Sequence, residues 1–144
     1  MKILYINHVG NFAGSSRSLF ELITSFQKKK VCPHLITPKG NFADKIMDLK
    51  IPTIKTFGIS QFDNTQYGYY RKTRWIILLR EFFLFFLTVY VLFKARKKWG
   101  EFDVIHINEI TMMPVIILSK LIFKRSKIFV HVRSKQRKKN NIRL

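Results

Sequence analysis

The feature that most constrains this fold is a short apolar run near the start of the chain, followed by a glycine-containing loop and an amphipathic helix. Residues 2–7 read KILYIN, the loop reads HVGNFAGSS, and residues 18–29 place Leu, Ile and Phe on one stripe. A continuous apolar run is typical of a strand buried on both faces of a parallel sheet. An apolar stripe at helical spacing predicts a helix that packs on such a sheet. The sequence therefore predicts the opening unit of an α/β fold.

Strand and helix signals alternate along the rest of the chain. The predicted elements are strands at residues 32–37, 53–57, 103–108 and 127–132, and helices at residues 42–49, 75–99 and 114–123. This alternation indicates a parallel sheet, and right-handed crossovers predict strand order 3-2-1-4-5 in a doubly wound, Rossmann-like, three-layer α/β/α fold. Residues 58–74 lack periodicity and are predicted to form a loop. We expect one domain over residues 1–135 and a disordered basic tail at 136–144.

The charge of the chain is strongly one-sided. There are 27 Lys and Arg residues against 8 Asp and Glu residues, which gives a net charge of +19. Such a surface attracts nucleic acid, acidic lipid headgroups and phosphorylated substrates alike. Residues 124–144 hold nine of the basic residues and no acidic one, but they lack the interleaved aromatic residues of a stacking platform. We interpret this run as a solvated tail, with a non-specific nucleic-acid site as the alternative, so nucleic acid is not the expected partner.

The cysteine content and the N-terminus bear on location. Cys32 is the one cysteine, so no internal disulfide forms and a reducing compartment is the simplest interpretation. It falls in a predicted strand, where we expect a buried, unreactive thiol. The first apolar run is shorter than the core of a signal peptide, so we expect a cytoplasmic protein.

The longest apolar segment, residues 75–93, is nearly as long as a membrane span. Arg80 and Glu81 interrupt it, and basic residues flank it on both sides, unlike the one-sided flanks of a spanning helix. We interpret it as an apolar helix packed on the sheet. The alternatives are a helix that also lies on an anionic membrane surface, which would place the protein peripherally at the inner membrane face, and a true span.

Ligands of an open α/β sheet bind beyond the carboxyl ends of the strands, near the switch point between the first and fourth strands. Residues 8–18, 108–112 and 131–135 are predicted to converge there. Gly10 and Gly14 would let the loop backbone approach a ligand closely, and the start of the helix offers free N–H groups to an anion. The alternative is a tight turn that binds nothing.

The same loop excludes two nucleotide-binding motifs. It matches neither G-x-G-x-x-G nor G-x-x-x-x-G-K-[ST], and Thr37, Pro38 and Lys39 stand where a dinucleotide-binding domain would have Asp or Glu. NAD and P-loop sites are therefore excluded. Since no Cys/His cluster has metal-ligand spacing either, we expect no metal and no cofactor.

Two strand ends supply further candidate residues. His106 and Asn108 share one side of the fourth strand; we interpret His106 as a core residue, whereas Asn108 and Glu109 lie at the strand end and are better placed to bind a ligand. His131 and Arg133 share one side of the fifth strand. Arg133 could hold a phosphate or carboxylate through two hydrogen bonds, and the alternative is a solvated arginine.

Four motifs, in order, resemble a known family. They are similar to the first strand with its glycine loop and RSL helix, the second strand and short helix, and the D-V-H-x-N and V-H-x-R strands of the N-terminal domain of GT-B glycosyltransferases, of the retaining family 4 type. Here they read KILYINHVGNFAGSSRSLFEL, HLITPKGNFADKIMDLKIP, FDVIHINE and IFVHVRS. The resemblance runs from residue 1 to about residue 135.

This resemblance implies the acceptor-binding half of a two-domain enzyme that moves a sugar from a nucleotide-sugar donor to a glycan or lipid-linked acceptor. It implies catalytic roles for His131 and Arg133 and substrate-binding roles for Gly14, Ser15, Arg17, Asn108 and Glu109. The donor-binding motif of the family lies in a C-terminal domain, so we expect a truncated enzyme that is inactive alone and meets the donor only with such a domain. The alternative is a non-catalytic basic module that binds anionic lipid or a partner subunit.

Overall fold

The computed structural model describes residues 1–27, 30–63 and 76–133. Strands and helices alternate along them, in the order β1 (Lys2–Ile6), α1 (Gly14–Gln27), β2 (Cys32–Pro38), α2 (Asn41–Asp48), β3 (Thr53–Thr56), α3 (Ile76–Trp99), β4 (Val104–Ile107), α4 (Met113–Ile122) and β5 (Lys127–Val130). Each predicted strand and helix is found, with bounds that agree closely except at the start of α1. The basic tail and residues 64–74 of the predicted loop lie outside the described residues.

All five strands are parallel and lie in the order β3-β2-β1-β4-β5, which confirms the predicted Rossmann-like topology. β1 is central because its side chains are apolar on both faces. Ile3 and Tyr5 pack in a core formed with α1 and α2, whereas Leu4 and Ile6 pack in a second core formed with α3 and α4. The sheet is thus the middle of three layers, and its switch point lies between β1 and β4.

The start of α1 differs from the prediction by four residues. The carbonyl oxygen of Ala13 accepts hydrogen bonds from the backbone N–H groups of Ser16 (2.8 Å) and Arg17 (3.0 Å), so the first helical turn forms directly after the short loop. The helix therefore begins at Gly14. The expectation that Gly14 and Ser15 belong to the loop is wrong, because they form the first turn.

Cys32 is exposed, so the expectation of a buried thiol is wrong. It is the first residue of β2, before the part of the strand that the helices cover. Its backbone N–H donates to the carbonyl oxygen of Met1 at 2.9 Å, which ties it to the amino-terminal edge of the sheet.

The inner side of α3 packs on the sheet at β3, as predicted, and also against α4, but it carries polar groups. The hydroxyl of Thr88 accepts a hydrogen bond from the backbone N–H of Ser60 (2.9 Å), and the carboxylate of Glu81 accepts one from the backbone N–H of Gln61 (2.8 Å). Both bonds hold the segment that follows β3. That segment is therefore fixed by a helix that comes later in the chain.

The outer side of α3 is apolar and exposed. Large apolar side chains lie there in solvent: Ile76, Leu79, Phe82, Phe83, Phe86, Tyr90 and Phe93. By length and composition alone α3 could cross a membrane, a test that the core helix of a soluble protein also passes. The packing that was predicted for this helix therefore describes only its inner side.

Candidate functional site

The carboxyl ends of β1 and β4 place two asparagines side by side in the interior. Asn7 and Asn108 directly follow these strands, and their backbone N–H groups extend the sheet by donating to Ile36 and Ile6, each at 3.0 Å. Both side chains are buried. Because the strands are parallel, residues that are far apart in sequence meet at this edge.

The amide of Asn108 links three elements. Its Nδ2 donates to Oδ1 of Asn7 (2.9 Å) and to the carbonyl oxygen of Ser15 (3.3 Å), and its Oδ1 accepts from Nη2 of Arg133 (3.0 Å). The side chain is only 1% exposed. Both of its N–H groups bond to protein, so Asn108 holds β1, the start of α1 and the segment after β5 together behind the site.

Arg133 lies where the sequence placed it, beyond the end of β5. Its Nη2 also lies 3.1 Å from Nδ1 of His131. Since a guanidinium is always a donor, Nδ1 of His131 acts as the acceptor and the ring proton sits on Nε2. Nε of Arg133 is buried and has no hydrogen-bond partner among the described residues, so this N–H group can donate to a ligand.

A polar cleft of about 390 Å³ opens in front of this network. Its lining residues are His8, Ser15, Gln61, Asp63, Glu109, Thr111 and Arg133. We refer to this set as the cleft. Two carboxylates, a guanidinium, an imidazole and two hydroxyl groups therefore face one volume, which is a set of donors and acceptors suited to a polyhydroxylated or phosphorylated ligand.

Two more polar atoms in the cleft lack a protein partner within the described part of the chain: Nδ1 of His8 and Oγ1 of Thr111. Thr111 is only 6% exposed. A buried polar atom without a partner costs free energy, so such atoms mark a place where a ligand or water completes the hydrogen bonding. Their position in the same cleft as Arg133 makes it the strongest candidate site.

The environment of His8 favours its neutral form. Burial lowers the pKa of His8 below its ordinary 6.5, and the carboxylates of Glu109, Asp63 and Glu81 act in the opposite direction. A neutral imidazole has one donor and one acceptor nitrogen. His8 is therefore suited to hydrogen bonding with a hydroxyl group of a ligand.

The segment after β3 forms one wall of the cleft and contributes Gln61 and Asp63. It reaches this position because Glu81 and Thr88 of α3 bind its backbone, and because the N–H of Phe62 donates to the carbonyl oxygen of Thr111 at 2.7 Å. The carboxylate of Glu81 is balanced by Nη2 of Arg80 at 2.6 Å. This charged pair, which interrupts the apolar part of α3, thus positions one wall of the cleft.

Of the seven residues proposed from the sequence, Ser15, Glu109 and Arg133 line the cleft. Asn108 lies behind it, and His131 borders a neighbouring apolar groove near His106. Gly14 and Arg17 are exposed on the first turns of α1 and are absent from the lining; Arg17 pairs with Glu21 at 3.4 Å. The roles that the resemblance implies for these residues stay predictions.

Gly10 allows two loops to pack closely, whereas the sequence suggested that it would allow a ligand to approach the backbone. A side chain at Gly10 would lie 2.2 Å from the carbonyl oxygen of Lys39, and one at Gly40 would lie 2.3 Å from that of Gly10. Gly40 also has a φ of 152°, which favours glycine. The loops after β1 and β2 therefore touch through their backbones.

The sequence did not single out His8, Gln61, Asp63 or Thr111. His8 lies two residues beyond β1 and Thr111 four residues beyond β4, so both fall within the segments 8–18 and 108–112 that the rule for strand ends predicted at this edge, although neither was named as a site residue. Gln61 and Asp63 depend on the contacts of Glu81 and Thr88, which no local pattern signals.

Over the described residues, no group of three or more His, Cys, Asp or Glu side chains could hold a metal ion.

The chain was compared with family models and with curated proteins. No family model matches it, and no curated protein matches it either.

Proposed function

We propose that the chain is the acceptor-binding half of a glycosyltransferase that moves a sugar from a nucleotide-sugar donor to a glycan or lipid-linked acceptor. The proposal rests on the four motifs that resemble GT-B N-terminal domains and on the composition of the cleft. The observation that carries most weight is that two carboxylates, Arg133 and buried polar atoms with no partner among the described residues line one cleft at the switch point.

Acceptor hydroxyl groups fit the carboxylates that line the cleft. Asp63 and Glu109 present carboxylates, which accept hydrogen bonds strongly. His8 and Thr111 each have an atom that can pair with a further hydroxyl. These groups would orient an acceptor sugar by several hydrogen bonds at once.

The positively charged groups of the cleft fit a phosphate. Arg133 carries a permanent positive charge, and the first turn of α1 borders the same volume, since Ser15 lines it. A helix N-terminus adds a partial positive charge. These groups would hold the phosphate of a lipid-linked acceptor or lie beside the phosphates of the donor. In this proposal the donor binds mainly to another domain, and the chain alone binds acceptor without turnover.

Saturation-transfer NMR of the purified chain with a panel of oligosaccharides and short-chain prenyl-phosphate sugars tests the proposal. We expect binding of at least one acceptor class, weakened about tenfold or more by Glu109→Gln, because a charge-assisted hydrogen bond is lost. Arg133→Gln should weaken only the phosphorylated ligands. Asp48→Asn, an exposed acid on α2 outside the cleft, is the matched control.

Two outcomes would contradict the proposal. One is that no sugar in the panel binds the folded chain. The other is that Glu109→Gln and Asp48→Asn have equal effects, since binding would then lie outside the cleft.

A further inference from the structure

The exposed side of α3 has a regular pattern. Its apolar residues recur at intervals of three and four, as Ile76, Leu79, Phe83, Phe86, Tyr90 and Phe93, and each is more than half exposed. We call this set the α3 stripe. At 1.5 Å per residue it is about 25 Å long. Monomeric soluble proteins rarely expose so large a continuous apolar surface, and such surfaces mark a binding site for a protein or a membrane.

The neighbouring helix widens this surface. α4 packs beside α3 on the same face of the sheet. It exposes Met113, Ile117 and Leu121, which are spaced four residues apart along one side. Two adjacent helices with outward apolar side chains form a broad surface, wider than the groove that one partner helix would fill.

Lysines continue both rows at their C-terminal ends. Lys97 follows Phe93 at the spacing of the α3 stripe, with Lys94 and Lys98 beside it, and all three are exposed. Lys120 on α4 and Lys124, two residues beyond the end of α4, are also exposed and lie close to Leu121 in the chain. Both helices run against the direction of the parallel strands, so these cations gather at the same end of the molecule. Their charge is complementary to an anionic surface.

We propose that the α3 stripe and the outer side of α4 dock in the plane of an anionic lipid membrane. The apolar side chains would enter the boundary between headgroups and acyl chains, as those of interfacial helices do. The lysines would reach the lipid phosphates while their stems cover apolar surface. This surface is separate from the cleft, so the inference does not depend on which ligand the cleft binds.

The buried side of α3 favours a helix in the plane of the membrane over one that spans it. Glu81 is 5% exposed, and its carboxylate bonds to the backbone of Gln61 and to the guanidinium of Arg80. Spanning would strip α3 from the sheet and place this charged pair in hydrocarbon, which is costly. In-plane docking keeps every contact of the inner side.

Flotation of the full chain with lipid vesicles tests this inference. We expect the protein to float with phosphatidylcholine vesicles that contain phosphatidylglycerol, more weakly with phosphatidylcholine alone, and less at high salt, because the lysine contribution is screened. The double variant Phe83→Ala/Phe86→Ala should lower the partition constant about tenfold or more, since two aromatic side chains leave the interface.

Phe129→Ala is the matched control. Phe129 is 59% exposed, against 57% for Phe86, but it lies on β5 beside Tyr5 and His106, on the face of the sheet that α1 packs against. The control should float like the wild type, and circular dichroism should show that both variants fold.

Three results would overturn the inference. The wild type could fail to bind anionic vesicles, or the control and the double variant could lose binding equally. The protein could also resist carbonate extraction, which would indicate a span. A dimer that the double variant dissociates, without vesicle binding by the wild type, would assign the surface to a second copy of the chain instead.

Discussion

Polar side chains are buried behind the cleft, whereas apolar side chains are exposed on the α3 stripe, so both regions depart from the usual distribution of residues in a folded protein. In the network behind the cleft, Asn7 and Asn108 are buried and bonded to each other, whereas Phe83 of the stripe is 71% exposed. Buried polar groups need partners, which the fold supplies from several elements. Exposed apolar groups need a partner that the described chain does not contain.

The two regions meet in one helix. Glu81 and Thr88 on the inner side of α3 hold a wall of the cleft, while Phe83 and Phe86 on the outer side face solvent. We therefore expect that replacing polar residues behind the cleft changes the stability of the fold. Replacing apolar residues of the α3 stripe should change only what the molecule binds.

Among substitutions of polar residues, the largest effect is expected for Asn108→Ala. It leaves Asn7 and Arg133 without a shared partner, and we expect the free energy of unfolding to fall by about 2 to 3 kcal/mol. Urea denaturation measures this loss. Asn11→Ala, at an exposed asparagine of the loop after β1, should change stability by less than about 0.5 kcal/mol. Equal losses in the two variants would show that the network does not stabilise the fold.

Glu81→Ala should come next. It removes the acceptor that fixes the backbone of Gln61, so we expect a loss of about 2 kcal/mol and faster hydrogen exchange at that amide. Glu81→Gln keeps a carbonyl acceptor and should lose less. If the exchange rate of the Gln61 amide is the same in all three proteins, the link between α3 and the cleft wall is wrong.

A smaller effect is the loss of stability at acidic pH. Burial, followed by electrostatic interaction with His131 and Arg133, lowers the pKa of His106 from 6.5 to about 4. Between these values the unfolded chain binds the proton and the folded chain does not. The contribution of uncharged His106 to the free energy of unfolding is therefore complete above pH 6.5, and it is lost as the pH falls toward 4.

Since His106 is only partly buried, we expect it to account for about 1 kcal/mol of the stability lost between pH 7 and pH 5. His106→Gln should lack that part of the loss in urea denaturation at the two pH values. An NMR titration of His106 with a midpoint near 6.5 would contradict the prediction.

The smallest effect should come from the stripe. Phe83→Ala/Phe86→Ala should alter the free energy of unfolding by less than about 0.5 kcal/mol, because these side chains contribute little to the core. Leu92→Ala, on the inner side of the same helix and 1% exposed, should cost about 3 kcal/mol. A large loss in the double variant would mean that the stripe stabilises the fold itself.

The sequence by itself determined the alternation of elements and the strand order. Apolar runs such as residues 2–7 and helical stripes such as that of α1 are local patterns, and the right-handed crossover then leaves few topologies. The same reasoning placed Ser15, Glu109 and Arg133 near one another, because the carboxyl ends of β1, β4 and β5 share one edge.

Only the tertiary structure decided what those residues touch. The amide of Asn108 reads as a ligand group in sequence, yet its bonds to Asn7, Ser15 and Arg133 come from three distant elements. Gln61 and Asp63 line the cleft because α3 binds the backbone of their segment. The inner side of α3 carries buried polar groups, and its outer side carries exposed phenylalanines. Local periodicity fixes which residues share a side, but which side is covered depends on neighbours that lie far away in the chain.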